Sequence, residues 1–172
     1  MPAMIRPATV DDVDAFVSMK NDAWRWAYAD ILPAEHLATL TIEEQAGWWC
    51  ARLAEPDPTG DVVFVAVDGE GVVGVAGAEP SRDDDAGPST GELGMLYLRP
   101  DHVGQGLGRA LHDRALGALR DAGFDRATLW VLEANARGRG FYEHLGWTPD
   151  GTRGDHMVEC ANHPMLRYAI TL

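Results

Sequence analysis

ELGMLYLRPDHVGQGLGRALHDRALGAL, residues 92–119, passes from an apolar run through a proline into a glycine-spaced loop and then a helical repeat. Leu93, Met95, Leu96, Tyr97 and Leu98 are apolar almost without interruption, which predicts a strand covered on both faces. Arg99 and Pro100 end it. Gly104, Gly106 and Gly108 stand at every second position, alternating with Gln105 and Leu107, so backbone amides there can approach a ligand closely. Leu107, Leu111, Ala115 and Leu119 recur every four residues and predict a helix whose first turn lies at the glycines. The unpaired amides of that turn, with about half a positive charge from the helix dipole, form an anion site that needs no lysine. Two common owners of such a site are excluded. A dinucleotide fingerprint would place a third glycine where Arg109 stands, and no GK[ST] occurs anywhere in the chain.

The strand, the proline exit and the loop together resemble motif A of the GNAT family of N-acetyltransferases, whose loop wraps the pyrophosphate of acetyl-CoA. A second segment, NARGRGFYEHLGW from Asn135 to Trp147, resembles the asparagine and tyrosine segment of the same family, with Tyr142 seven residues after Asn135. The resemblance spans nearly the whole chain and is strongest from Glu92 to Trp147. It implies an acetyl-CoA-dependent N-acetyltransferase that moves an acetyl group directly to a primary amine of a small molecule or peptide. A non-catalytic acyl-CoA-binding or sensing module is the alternative.

Residue by residue, the resemblance implies that the amides of Val103, Gly104, Gln105, Gly106, Leu107, Gly108 and Arg109 hold the diphosphate. Val103 stands where the family usually has arginine or glutamine, and Arg109 adds charge. Leu96 and Leu98 would pair through their backbones with the extended pantetheine arm. The Leu96 amide would meet the thioester oxygen as it becomes an oxyanion, a contact worth about 2.7–4 kcal/mol in a dry site. Asn135 would touch the same arm. An alkylammonium with a pKa near 10.4 must lose a proton before it can attack. Glu92, the one carboxylate of the central strand, matches the general base of some members, and ordered water is the other candidate. Tyr142 would be the proton donor to the departing thiolate. Trp24 and Tyr28, in the W-three-residues-Y pattern followed by Leu32 and Pro33, resemble one bacterial branch of the family, and their rings either line the acceptor pocket or belong to the core.

The remaining chain fits this frame. Met4 to Arg6 predicts a short strand that Pro7 limits. Thr9 with Asp12 reads as a capped start to a helix over 10–28. Thr41 and Glu44 form a capping box for a second helix carrying Ala46, Trp49 and Leu53, closed by Pro56 and Pro58. Two valine-rich runs, 61–67 and 72–78, flank DGEG and predict a hairpin. Residues 81–91 read as a mobile acidic loop. Arg126 to Leu132 predicts a strand, Ala136 to Leu145 a short helix, Asp150 and Gly151 a turn, and Met165 to Leu172 a closing strand. The order is strand, two helices, three strands, helix, strand, helix, strands. That is an α+β fold, three-layered; by resemblance it has a mixed, mostly antiparallel sheet of six to seven strands flanked by helices, its central strands splayed around acetyl-CoA.

With 172 residues, 46% of them hydrophobic, one domain over 1–172 is expected. No apolar run reaches the length of a membrane span, and MPAMIRPATVDD lacks the features of a signal peptide, so a cytoplasmic location is expected. A net charge of -13 argues against nucleic acid as a partner and would attract amines; solubility alone also accounts for it. His156, Cys160 and His163 match none of the usual zinc spacings, so no metal is expected. The sequence leaves monomer and homodimer open.

Overall fold

The computed structural model describes residues 3–55, 59–158 and 161–172. The hairpin predicted around DGEG forms between β2 (Val62–Asp68) and β3 (Gly71–Pro80), with Val65 opposite Val75. β1 (Met4–Pro7) adds antiparallel to β2, and β4 (Thr90–Leu98) adds antiparallel to β3. β5 (Arg126–Leu132) lies parallel to β4, followed by β7 (Ala161–Thr171) and β6 (Thr148–Val158), both antiparallel to their neighbours. Among the described residues seven strands make one sheet in the order β1-β2-β3-β4-β5-β7-β6. The β4–β5 pair is its parallel step, so the predicted α+β class with a mixed, mostly antiparallel sheet holds.

Helices cover both faces. On one side, α1 (Val13–Ala27) and α3 (Glu43–Ala54) bury Phe16, Val17 and Trp49 against Val63, Val65 and Val75. On the other, α4 (Leu107–Asp121) buries Leu111, Ala115, Leu116 and Leu119 against Phe64, Ala76, Ala78 and Leu93. The four-residue spacing of leucine and alanine is what fits α4 to the sheet. α5 (Ala136–His144) lies on the same side, with Tyr142 and Leu145 packed on that core. α2 (Ala34–Thr39) is a short helix that had no signal in the sequence; its Leu37 joins Leu32, Leu132 and Val158 in a third cluster, which ties the end of α1 to the β5–β7–β6 half of the sheet.

Several local expectations change. The first helix is split: a 3-10 turn over Val10–Asp12 precedes α1, and Asp12 accepts from the Thr9 backbone N–H at 2.8 Å and from both terminal nitrogens of Arg6 at 2.7 Å. The Thr41 capping box is weak, with Glu44 N–H 3.4 Å from the Thr41 hydroxyl, and α3 starts at Glu43. Pro56 and Pro58 lie outside the described residues. The acidic 81–91 segment is anchored rather than free, because Arg167 binds Asp83 (3.0 Å) and Asp85 (2.6 Å) from it, and Asp150 (2.8 Å) from β6. Asp150 and Gly151 do not form a simple turn. They sit in a register shift of the long strand β6, where Gly151 has φ +89°.

Candidate active site

The central strand leads to the site. β4 and β5 pair only at Thr90↔Arg126, Gly91↔Ala127 and Glu92↔Thr128, after which they separate. From Leu93 onward β4 therefore keeps β3 on one side and, among the described residues, has no strand on the other. The strand expected to be covered on both faces is accordingly only half-buried over 95–98. The opening is a cleft of about 880 Å³ bounded by β4, β5, the loop before α4, α5 and the end of α1. Beside it β4 carries a bulge: Ala78 faces Leu93 and Gly77 faces Met95, leaving Gly94 extra. A Cβ at Gly94 would come within 2.8 Å of Glu79 Oε1, so glycine lets that carboxylate lie against the strand.

At one end of the cleft, the glycine loop turns into α4. Gly106, the residue before the helix, has φ +85°, a left-handed conformation that glycine adopts without the Cβ penalty. The first intrahelical bond runs from Ala110 N–H to Gly106 C=O at 3.1 Å, so the amides of Leu107, Gly108 and Arg109 precede the helical ladder and are free for an anion. Val103, Gly104, Gly106, Gly108 and Arg109 all line the cleft. Gln105 and Leu107 do not: the Gln105 amide donates to Asp101 C=O at 2.7 Å, and Leu107 packs on the main core. His102, at the loop's entry, lies 2.8 Å from Asp101 and 3.0 Å from Asp68, and these carboxylates raise its pKa.

Leu96, Leu98 and Asn135 line the same cleft. Asn135 is also the cap of α5, its Oδ1 accepting from Gly138 N–H at 2.9 Å. The cap uses the carbonyl oxygen and leaves the side-chain NH₂ to donate elsewhere. Helix cap and cleft wall are thus compatible roles for this asparagine.

In the middle of the cleft stand Trp24, Tyr28, Tyr97 and Tyr142. Trp24 meets Tyr28 edge-on with ring centroids 5.1 Å apart, and lies 6.1 Å from Tyr97. The Trp24 indole N–H is buried without a hydrogen-bond partner among the described residues. Burial raises the pKa of Tyr28, Tyr97 and Tyr142, with Tyr97 adding to the rise of the other two, so all three phenols stay neutral. Trp24 and Tyr28 also pack on the third core cluster, so each is both core and cleft wall. Tyr97 is legible in the sequence only as one more apolar residue of the strand; after the bulge it shares a face with Met95, and both reach the same space.

Glu92 also reaches the cleft. Burial, then the charges of Asp83 and Glu79, push its carboxyl up from 4.5 to about 7. Glu79 is its direct partner across the β3–β4 pair. A carboxylate held near neutrality is suited to take a proton from an amine at physiological pH. Of the histidines considered for metal, His156 and His163 are cross-strand partners on β6 and β7, and Cys160 lies outside the described residues. Within this stretch, residues 150–158 belong to β6 and 161–164 to β7, and His156 borders the cleft. Among the described residues no helix is long and apolar enough to cross a membrane.

Comparison with known proteins agrees with this geometry. The family model described as "Acetyltransferase (GNAT) family" matches residues 16–147. An uncharacterized N-acetyltransferase of Bacillus subtilis, YuaI, is 33% identical over 132 residues, 76% of this chain and 72% of that protein. A mycothiol acetyltransferase of Beutenbergia cavernae is 54% identical over 61 residues, but the match spans only 20% of that protein. Among solved structures, the PaiA N-acetyltransferase of Thermoplasma acidophilum in complex with coenzyme A superposes with a TM-score of 0.79 over the full length of both chains at 19% identity. The chain belongs to the GNAT family of acetyltransferases.

Proposed function

We propose that this protein moves an acetyl group from acetyl-CoA directly to a primary amine of a small molecule or peptide, with Glu92 as general base and Tyr142 as hydrogen-bond donor to the leaving sulfur. The observation that carries the reading is the split between β4 and β5 beside a free helix N-terminus. Such an opening offers backbone groups to an extended amide-bearing arm and amides to a diphosphate at its end. The Bacillus relative is named an N-acetyltransferase and the Thermoplasma structure carries coenzyme A, and both favour a catalyst over a non-catalytic sensing module. A cytoplasmic location accords with the reading.

In this reading the diphosphate rests on the amides of the 103–109 loop, with Arg109 nearby. The arm follows the β4 edge at Leu96 and Leu98, and the Asn135 side-chain NH₂ donates to one of its amides. Glu92, ionised in an appreciable fraction at neutral pH, removes a proton from the acceptor's ammonium. The free amine then attacks the thioester carbon, and the developing oxyanion accepts from Leu96 N–H. As the C–S bond breaks, sulfur leaves as a thiolate and the new amide nitrogen gives up its proton. Tyr142's pKa lies above the phenol's usual 10, whereas a thiol's is about 8.5. Tyr142 therefore stabilises the thiolate chiefly by donating a hydrogen bond, and the proton released by nitrogen completes the thiol.

The test is thiol release from acetyl-CoA with a panel of amines, using wild type and Tyr142→Phe. Amine-dependent release that collapses in the variant supports the reading. Thermal stabilisation by acetyl-CoA without release on any amine would instead favour the sensing module.

A further inference from the structure

Lys20 is the single lysine of a chain with 27 acidic residues. It projects from α1 into a second, smaller cavity of about 230 Å³ between α1, α3 and the β3–β4 pair, walled by Trp24, Trp48, Trp49, Arg52 and Glu79. Trp24, Gly94, Met95 and Tyr97 line both this pocket and the large cleft, so the two adjoin. The other charges in the pocket are matched. Arg52 is ion-paired with Asp61 and lies 3.5 Å from Glu79, and Glu79 is bound at 2.9 Å by Arg82. Lys20 has no carboxylate within ion-pair distance among the described residues. Its ammonium lies over the Trp24 ring, 5.2 Å from the centroid. Burial alone draws its pKa down from 10.5 to about 8, with no neighbouring charge to offset it.

A half-buried ammonium without an anion is costly unless something else supplies one. Among the described residues the one carboxylate that lines this pocket, Glu79, is already held by Arg52 at 3.5 Å and Arg82 at 2.9 Å. At neutral pH Lys20 is still mainly protonated, so the pocket presents an unmatched positive charge beside the proposed site of transfer. We propose that this pocket is a subsite for the acceptor, in which Lys20 Nζ binds the carboxylate of an amine that carries one, leaving its amino end in the cleft. The proposal rests on the acetyl-transfer reading above and narrows its substrate class to aminocarboxylates. The tryptophan walls suit the acceptor's apolar body.

The test is calorimetric titration of the full chain saturated with coenzyme A. The probes are glycine, β-alanine, 4-aminobutyrate, L-phenylalanine and L-tryptophan, each beside its methyl ester. We expect at least one acid to bind about tenfold or more tightly than its ester, as for a charge-assisted hydrogen bond. Lys20→Met should abolish that preference while leaving ester and coenzyme A binding unchanged, and Lys20→Arg should retain part of it. Equal binding of every acid and its ester overturns the proposal, as does a preference that survives Lys20→Met. Mass spectrometry finding an acetyl group on Lys20 itself after incubation with acetyl-CoA would also overturn it, by making the lysine a target. Thiol release separates the two claims. Release with esters as readily as with acids keeps the transfer reading and removes the subsite, whereas an acid preference with no release keeps the subsite and removes transfer.

Discussion

Replacing Glu92 with glutamine should lower activity and raise stability, and both effects follow from one environment. The native carboxyl is pushed from 4.5 to about 7 by burial and by Asp83 and Glu79. Between those pH values the unfolded chain releases this proton and the folded chain keeps it, so the stability that Glu92 contributes below pH 4.5 is lost as pH rises through 7. A rise of that size corresponds to about 3 kcal/mol. The carboxylate is only partly buried at the cleft wall, and screening there reduces the figure to about 1–2 kcal/mol. Glutamine carries no charge and avoids this loss. Urea unfolding should therefore show wild type and Glu92→Gln nearly equal near pH 4.5, with the variant about 1–2 kcal/mol more stable at pH 8. In the same protein, kcat/KM of wild type should fall tenfold per pH unit below about 7, and the variant should lose about 10²–10⁴ of its rate together with that acidic limb. An unchanged limb at 7 in the glutamine variant would refute the assignment of the base. Equal stability at pH 8 would refute the desolvated carboxylate itself.

Other outcomes bear on separate parts of the molecule. Tyr142→Phe should reduce kcat by about 10²–10⁴ with little change in the KM for acetyl-CoA, read by thiol release, since it removes a donor and keeps the ring. Gly106→Ala should raise that KM and destabilise the fold by about 1–2 kcal/mol in urea unfolding, because φ +85° is unfavourable for a residue with a Cβ. His112 is buried in α4 and accepts from the Trp147 indole N–H at 2.9 Å, while its other ring nitrogen lies 2.8 Å from Asp113. His112→Leu would leave that indole unsatisfied and should cost about 1–3 kcal/mol by the same measurement, with acetyl-CoA affinity retained.

The parts of the fold that were legible in the sequence are those where one residue pattern meets one neighbour. The valine-rich hairpin and the leucine spacing of α4 each pack on a continuous core, so their periodicity survives in the chain. The strand β6 does not. It pairs with β7 alone, and its TPDGTRGDHMV is exposed at most positions, so no apolar alternation announced it. The glycine loop was readable because an anion site at a helix start depends on local backbone. The parting of β4 from β5 came from the family resemblance and not from the residues themselves, since a run of leucines looks alike whether a strand or an open cleft lies beside it. Lys20 and Tyr97 carried no signal for the same reason. One stands on α1 and the other on β4, and only the folded chain brings them to the walls of one pocket.

The parting of β4 from β5 has a consequence for how the protein persists. A sheet open along its middle leaves main-chain groups that no part of the described chain pairs, in the one place where the fold cannot hide them behind an edge strand. If the donor substrate supplies the missing partner, its binding energy becomes folding energy: a concentration one hundred times Kd adds about 2.7 kcal/mol. Abundance of the protein would then track supply of the acetyl donor, falling by proteolysis when the donor is scarce and recovering when it returns.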